Sequence, residues 1–370
     1  MSSKFNIPFW KNELPIEVLE LVAKEVAEIV VSGPYVGGQS VRDFEALFSR
    51  EICDGHPVSV ANGLQAIEIA IRALGLKKNA KIGVPTHTFI ATWFAVLNAN
   101  CIPVPIEVDM NGQMSLVYLA TIAHRLDAVI PVHMHGAGVK MNELLQIARL
   151  NNLKVIEDAS QAHGLLIGDK RAGEFGDAGA FSLYPTKNIG AVGDAGIIVF
   201  KDKNAAEIAW SIANYGTLRE SKYIHERIGT NSRLDPIQVP VLSASIRNLS
   251  NSIEAKRLIA LKYLVAVEQN PVLHPLEKDL KKSTWHHFPI LVSNREKFMS
   301  KAKHAGINCE IHYPNAAVDE INKITGKFGF ENSNASKIAS QIVSIPLYSK
   351  LTNEEIEHIT NFLQTYEELS

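Results

Sequence analysis

Four residues stand where a chain of alternating strands and helices places its chemistry: Gly63 after "PVSVAN", Phe89 after "KIGVPTHT", Asp158 at the end of "KVIED", and Lys187 after "GAFSLYPT". Each falls at the end of a strand-like run or in the turn that follows. In open α/β sheets, ligands bind beyond the carboxyl ends of the strands. A lysine amine can form a Schiff base with an aldehyde, and a carboxylate can hold a pyridine nitrogen protonated so that the ring withdraws electrons. The N–H groups that open a helix suit a phosphate, and an aromatic side chain suits the face of a flat ring. Taken together these are the requirements of pyridoxal phosphate. Taken singly, each has a plainer reading. Lys187 is a surface lysine, Asp158 a turn aspartate, Gly63 a turn glycine and Phe89 a core aromatic. Ser182 lies in phase with Tyr184 along its strand, so the two side chains share a face.

The elements that must position these residues are legible from periodicity. "HPVSVANG" leads into a helix whose Ile67, Ala70, Ile71 and Leu74 share one face, with Glu68 and Arg72 as an i,i+4 pair on its polar side. "KIGVPTHTF" and "CIPVPIEVD" read as strands around a helical "IATWFAVLNAN". "DAVIPVHMHG", a helix over 141–152 and "KVIEDAS" form a βαβ unit, which requires parallel strands and a right-handed crossover. In "KVIED" the two-residue alternation turns Glu157 to the opposite side from Asp158. "GAFSLY" and "AGIIVFK" complete the sheet, giving an α/β domain with helices on both faces.

After residue 245 the pattern changes to a long helix over 252–268, a strand-like "WHHFPILV", a helix over 295–305, a strand-like "INCEIHYP" and a last helix capped by Thr352 and Glu355. The expected division is a large domain over 1–245, with an N-terminal arm, and a smaller α+β domain over 246–370. At 370 residues the chain is long enough for both.

Bulk composition narrows the partners. Lysine plus arginine (37) and aspartate plus glutamate (39) nearly cancel, so no overall field draws the protein to nucleic acid or an anionic membrane. The cysteines Cys53, Cys101 and Cys309 are far apart among apolar neighbours and read as reduced core residues. "HMH" at 133–135 and "HH" at 286–287 invite a metal, but neither run comes with the further ligands of a tetrahedral site. His163 follows Asp158 closely enough to support it. No run reaches the roughly 18 apolar residues of a membrane span, and the N-terminus lacks a signal-peptide layout, so a cytoplasmic protein is expected. A nicotinamide-dependent oxidoreductase is disfavoured because no GxGxxG turn joins a strand to a helix.

The segments "GVPTHTFIAT", "AVIPVHMHG", "VIEDASQAHG", "GAFSLYPTKNIGAVGDAG" and "GTNSRLDPIQ" resemble, in order and spacing, the DegT/DnrJ/EryC1/StrS sugar aminotransferases. The resemblance runs from "GPYVGGQSVRDFEALFS" to "SIPLYSKLTNEEI". It implies the aspartate-aminotransferase type of fold (pyridoxal phosphate fold type I), a mainly parallel sheet and a homodimer whose active sites are shared between subunits. It implies that Lys187 forms the Schiff base, Asp158 faces the pyridine nitrogen, Gln161 meets the ring hydroxyl and Phe89 stacks on the ring. Gly63, Leu64 and Ser182 match the phosphate cradle, and Asn231 matches an asparagine that reaches the phosphate of the neighbouring subunit.

The chain departs from the common family pattern at Leu64, where threonine is usual, at Pro236 and Val239 in "LDPIQVP", and at Leu183 in "SLYP". Asn62-Gly63-Leu64, the run from Gln161 to Gly164, Tyr184 to Gly196, Asn214 to Gly216 with Lys222-Tyr223, and Asn231 to Asp235 resemble the members that aminate the 3-position of dTDP-linked keto sugars. The expected partners are therefore L-glutamate and a dTDP-linked 3-keto-6-deoxyhexose, in deoxyamino-sugar biosynthesis. Tyr184, Lys222, His312 and Tyr313 are the candidate groups for positioning the sugar. The alternatives are amination at the 4-position of a dTDP- or UDP-linked 4-keto sugar and a non-catalytic regulator on the same fold. A dehydratase is disfavoured because the sugar dehydratases of this family carry histidine in place of the lysine.

Overall fold

A computed structural model describes residues 4–330 and 333–368, with the side chain of Lys222 outside the described set. The strands, in chain order, are β1 (His56–Val60), β2 (Lys81–Pro85), β3 (Ile102–Ile106), β4 (Ala128–Val129), β5 (Lys154–Asp158), β6 (Leu166–Ile167), β7 (Lys170–Arg171), β8 (Ala178–Ser182), β9 (Gly196–Phe200), β10 (Thr217–Leu218), β11 (Ser221–His225), β12 (His274–Pro275), β13 (Phe288–Leu291) and β14 (Ile342–Ile345). The helices are α1 (Ile16–Ser32), α2 (Gln39–Glu51), α3 (Gly63–Ala73), α4 (Ile90–Asn98), α5 (Leu116–Ile122), α6 (Met141–Leu150), α7 (Lys203–Ala213), α8 (Val239–Glu268), α9 (Arg295–His304), α10 (Ala317–Thr325), α11 (Asn334–Gln341) and α12 (Asn353–Thr365).

Seven strands form one sheet in the order β1-β9-β8-β5-β4-β2-β3. The pairs from β3 across to β8 are parallel, and β9 runs antiparallel to both β8 and β1. Alternation along β9 shows why both faces are covered. Ile198 and Phe200 join the core under α3, α4 and α7, whereas Ile197 and Val199 join the core under α2 and the first half of α8. A third cluster packs α5 and α6 on Val129 and Val155. The sheet is thus a central layer with helices on both sides.

The smaller sheet, β12-β13-β14, is antiparallel and packs with α9, α12 and the second half of α8. Helix α8 starts thirteen residues before the expected Ser252, at Val239. Pro236 and Pro240 read as breakers in the sequence, yet proline is tolerated in a first turn because the N–H it lacks has no helical partner there. The 30-residue helix crosses residue 245 without interruption, its first half in one core and its second half in another. Two expected strands are shorter than the sequence suggested. "DAVIPVHMHG" keeps only β4 before a 3₁₀ turn at Met134–Gly136, and "INCEIHYP" makes only isolated bridges through Ile307 and Glu310. "LRESKY" lies in the β10–β11 hairpin. The capping box of Thr352 and Glu355 is present, and so is the Glu68–Arg72 pair at 3.5 Å. Among the described residues no helix is long and apolar enough to cross a membrane.

Candidate active site

The carboxyl ends of β2, β5 and β8 and the N-terminus of α3 converge on a cavity of about 620 Å³. Gly63, Leu64, Phe89, Asp158, Gln161, Ser182, Tyr184, Lys187, His312 and Tyr313 all line it. Asn231 does not line the cavity of its own chain. It is exposed, bridges Asn214 through its backbone and accepts a hydrogen bond from Arg233 at its side-chain oxygen. Lys222 lies in β11, and its side chain is outside the described residues.

Strand β8 stops at Ser182, and the chain turns through Pro185 so that the Lys187 N–H donates to the Tyr184 carbonyl at 2.8 Å. This sends the Lys187 side chain into the cavity, where, among the described residues, no hydrogen bond holds its Nζ. Desolvation by the surrounding protein lowers the ammonium to about 8, and the Asp158 carboxylate offsets part of that effect. At neutral pH an appreciable fraction of this amine is therefore unprotonated and able to act as a base or nucleophile.

Asp158 is 6% exposed at the end of β5. Its Oδ2 accepts from Thr92 Oγ1 at 2.9 Å and its Oδ1 from the Ser160 N–H at 3.2 Å. Glu157 points the other way, as alternation requires. It accepts from the N–H groups of Gly173, Phe175 and Gly176 at 2.7–2.9 Å and meets His133 Nε2 at 3.0 Å. His133, a metal candidate by sequence, is thus engaged in a buried pair. Gln161 accepts from the His135 N–H through Oε1 and donates to the Tyr313 hydroxyl at 3.2 Å through Nε2. The Tyr313 ring sits 5.3 Å from Phe89, which is 52% exposed toward the cavity rather than in the core.

At the opposite end, Asn62 caps α3 by accepting from the Gln65 N–H at 2.9 Å. The remaining N–H groups of that first turn have no helical partner and carry the positive end of the helix dipole. Gly63 is required by proximity, because a Cβ there would lie 2.7 Å from the Ser182 Cβ. The helix start and the end of β8 therefore meet, which brings the Ser182 hydroxyl beside the free N–H groups.

Sequence reasoning missed Thr92, Ser160 and the roles of His286 and His287. Thr92 was findable, being one turn into the helix that Phe89 caps. His287 stacks on His312 with ring centroids 4.0 Å apart and His286 lies tilted against His287, also at 4.0 Å, and local sequence carries no signal for that. His163 is fully buried, and burial lowers its pKa to about 3. It is a neutral ring against Phe181 rather than a hydrogen-bonding support of Asp158. Among the described residues no group of three or more His, Cys, Asp or Glu side chains is arranged to hold a metal.

An unbonded amine of lowered pKa, a buried carboxylate fixed through both oxygens, a glycine-tight helix start with a serine beside it and an exposed aromatic face are the donor set that pyridoxal phosphate needs, and they share one cavity. Comparison with known proteins agrees. The DegT/DnrJ/EryC1/StrS aminotransferase family matches residues 18–364. The chain is 33% identical over 366 residues to the Saccharopolyspora erythraea "Erythromycin biosynthesis sensory transduction protein EryC1", covering 96% of this chain and 98% of that one. It is 35% identical over 349 residues to the "dTDP-3-amino-3,6-dideoxy-alpha-D-galactopyranose transaminase" of Aneurinibacillus thermoaerophilus, covering 93% and 95%. The crystal structure of S. venezuelae DesV "in complex with ketimine intermediate" superposes with a TM-score of 0.88 at 30% identity, covering 96% of this chain and all of that one. The chain belongs to the DegT/DnrJ/EryC1/StrS aminotransferase family and is a sugar aminotransferase that works with pyridoxal phosphate.

Proposed function

We propose that the protein moves an amino group from L-glutamate to the 3-keto carbon of a dTDP-linked 3-keto-6-deoxyhexose, in two half-reactions at one site. The observation that carries this reading is the convergence of Lys187, Asp158 and the α3 N-terminus in one cavity, in a chain 35% identical to a dTDP-3-amino-sugar transaminase.

Bound pyridoxal phosphate supplies a carbonyl that accepts the amino group and a ring that delocalises the electrons released from the substrate carbon. Lys187 would anchor that aldehyde, and its amine would move the proton at the substrate carbon, a task suited to a pKa near 8. Asp158, fixed by Thr92 and Ser160, keeps the ring nitrogen protonated. Gln161 and Phe89, which line the cavity, would hold the ring hydroxyl and one ring face. The N–H groups of Gly63 and Leu64, with Ser182, hold the phosphate. The leucine at position 64 contributes no hydroxyl, so backbone donors carry that end.

Tyr184, His312 and Tyr313 line the same cavity and orient the sugar. The functional unit is a homodimer, with Asn231 of one chain reaching the phosphate site of the other. Two features support this: Asn231 stands outside its own cavity, and α1 has no buried residue and leaves Leu21, Val30 and Val31 exposed.

The experiment offers purified enzyme, pyridoxal phosphate and L-glutamate with either the 3-keto or the 4-keto dTDP-6-deoxyhexose. Turnover of the 3-keto sugar is expected. Turnover of the 4-keto sugar alone moves the amination to C4, and turnover of neither overturns the dTDP-linked substrate.

A further inference from the structure

Lys256, in the middle of α8, is 1% exposed and does not line the cavity described above. Its Nζ donates to Asn188 Oδ1 at 2.8 Å and lies 3.3 Å from Glu13 Oε1. The other carboxylate oxygen of Glu13 accepts from Ser252 Oγ and from the Ser349 N–H, the latter at 3.1 Å. One ion pair therefore joins the N-terminal arm, α8, the segment after β14 and the residue directly following Lys187.

The arm is anchored on both sides of Glu13. Ile7 pairs with the backbone of Gly306 and Asn308, and Leu14 is buried in the core under α2 and α8. The turn that receives the contact is tight, since a Cβ at Gly190 would lie 2.3 Å from the Pro185 carbonyl oxygen. Among the described residues the Asn188 amide nitrogen has no partner, so the bond from Lys256 is the one that holds this side chain. Lys256 is buried and Glu13 half-buried; the desolvation of Glu13 is outweighed by Lys256 with the Ser252 and Ser349 hydrogen bonds, which hold its carboxyl below the ordinary value.

We propose that Lys256 is a positioning residue for Lys187. Through Asn188 it fixes the turn that aims the Lys187 amine into the cavity, and through Glu13 it ties that turn to the arm and the smaller domain. The proposal deepens the reading of Lys187 as the residue that anchors the aldehyde and rests on that reading for its importance to the reaction.

The test uses the full-length, cofactor-free protein. The pH midpoint of Lys187 acylation is measured by competitive labelling and peptide mass in wild type, Asn188→Ala, Lys256→Met and the double variant. Lys187 faces Asp158 and lies in the field of His135, His163, His286, His287 and His312; none of these is replaced, but the Lys256 charge acts on His163 and His286, so the charge-neutral Asn188→Ala is the control.

Wild type should titrate near 8. Asn188→Ala and Lys256→Met should each raise the midpoint by about one pH unit as the loosened turn lets water reach the amine. The double variant should go no further than the larger single effect. Unchanged midpoints with only a lower melting temperature would make the pair purely structural and overturn the proposal. So would a shift in Lys256→Met with Asn188→Ala unmoved, which marks the lost charge rather than the lost contact. If Lys256→Met does not fold, the charge-neutral Asn188→Ala decides alone. Borohydride trapping of pyridoxal phosphate on a different lysine in wild type would refute the reading of Lys187 while leaving the titration result to judge the clamp.

Discussion

Asp158 and Lys187 pursue opposite strategies with the same neighbours. Asp158 has both oxygens occupied, so its position is fixed before any ligand arrives, whereas Lys187 carries an amine without a hydrogen bond in a site that disfavours its charge. That arrangement makes stability depend on pH. Lys187 releases its proton near 8 in the folded chain and at its ordinary 10.5 when unfolded. Between those values the unfolded chain holds the extra proton, so this residue makes stability rise with pH across that window, and its full penalty applies below pH 8. Lys187→Met should therefore stabilise the cofactor-free protein at pH 7 by about 1–2 kcal/mol, a value discounted because the amine faces an open cavity. The advantage should shrink by pH 9.5. Denaturant midpoints of the two proteins at both pH values check this, and a Lys187→Met protein less stable than wild type at pH 7 contradicts it.

At the scale of elements, the sequence was most informative where periodicity and chemistry coincide. Alternation along β5 separated Asp158 from Glu157, and the structure places one in the cavity and the other among the N–H groups of Gly173, Phe175 and Gly176. The apolar stripe of Ile67, Ala70 and Ile71 located α3 and therefore Gly63 at its start. Three features were not legible. Alternation has no direction, so nothing local shows β9 running against its neighbours. Prolines disguised the first three turns of α8. The adjacent rings of His286, His287 and His312 come from two segments joined only by the tertiary fold. The contact of α3 with β8 yields a prediction of its own. Gly63→Ala forces a Cβ into Ser182 and moves the helix start away from the strand end. Such overpacking costs about 1–3 kcal/mol, so affinity for pyridoxal phosphate should fall about tenfold or more in a titration. Unaltered affinity would place the phosphate elsewhere.

For the whole molecule, the largest electrostatic burden is its set of enclosed histidines. Burial lowers the pKa of His87 and His312 to about 4 and of His163 to about 3, and depresses His135, His286 and His287 well below their ordinary range. The unfolded chain protonates these rings near 6.5 while the folded chain resists. Stability is therefore retained above pH 6.5 and lost as pH falls from there toward 4. Each such ring contributes about 1.4 kcal/mol per pH unit within that window. Denaturant midpoints should fall steeply between pH 6.5 and 4.5, and replacing His163 by Phe should shallow the slope. A flat profile over that range would mean these rings are not held neutral. The same enclosure keeps His286, His287 and His312, which line the cavity with Lys187, neutral at working pH.

The central claim is that Lys187 anchors the aldehyde of pyridoxal phosphate. Its most direct test is to incubate the purified protein with pyridoxal phosphate, reduce with borohydride, digest and locate the added mass. The account predicts one modified peptide, carrying the label at Lys187, and none in Lys187→Ala protein whose circular dichroism matches wild type. Stoichiometric label on another lysine, or persistent label in folded Lys187→Ala, would contradict it.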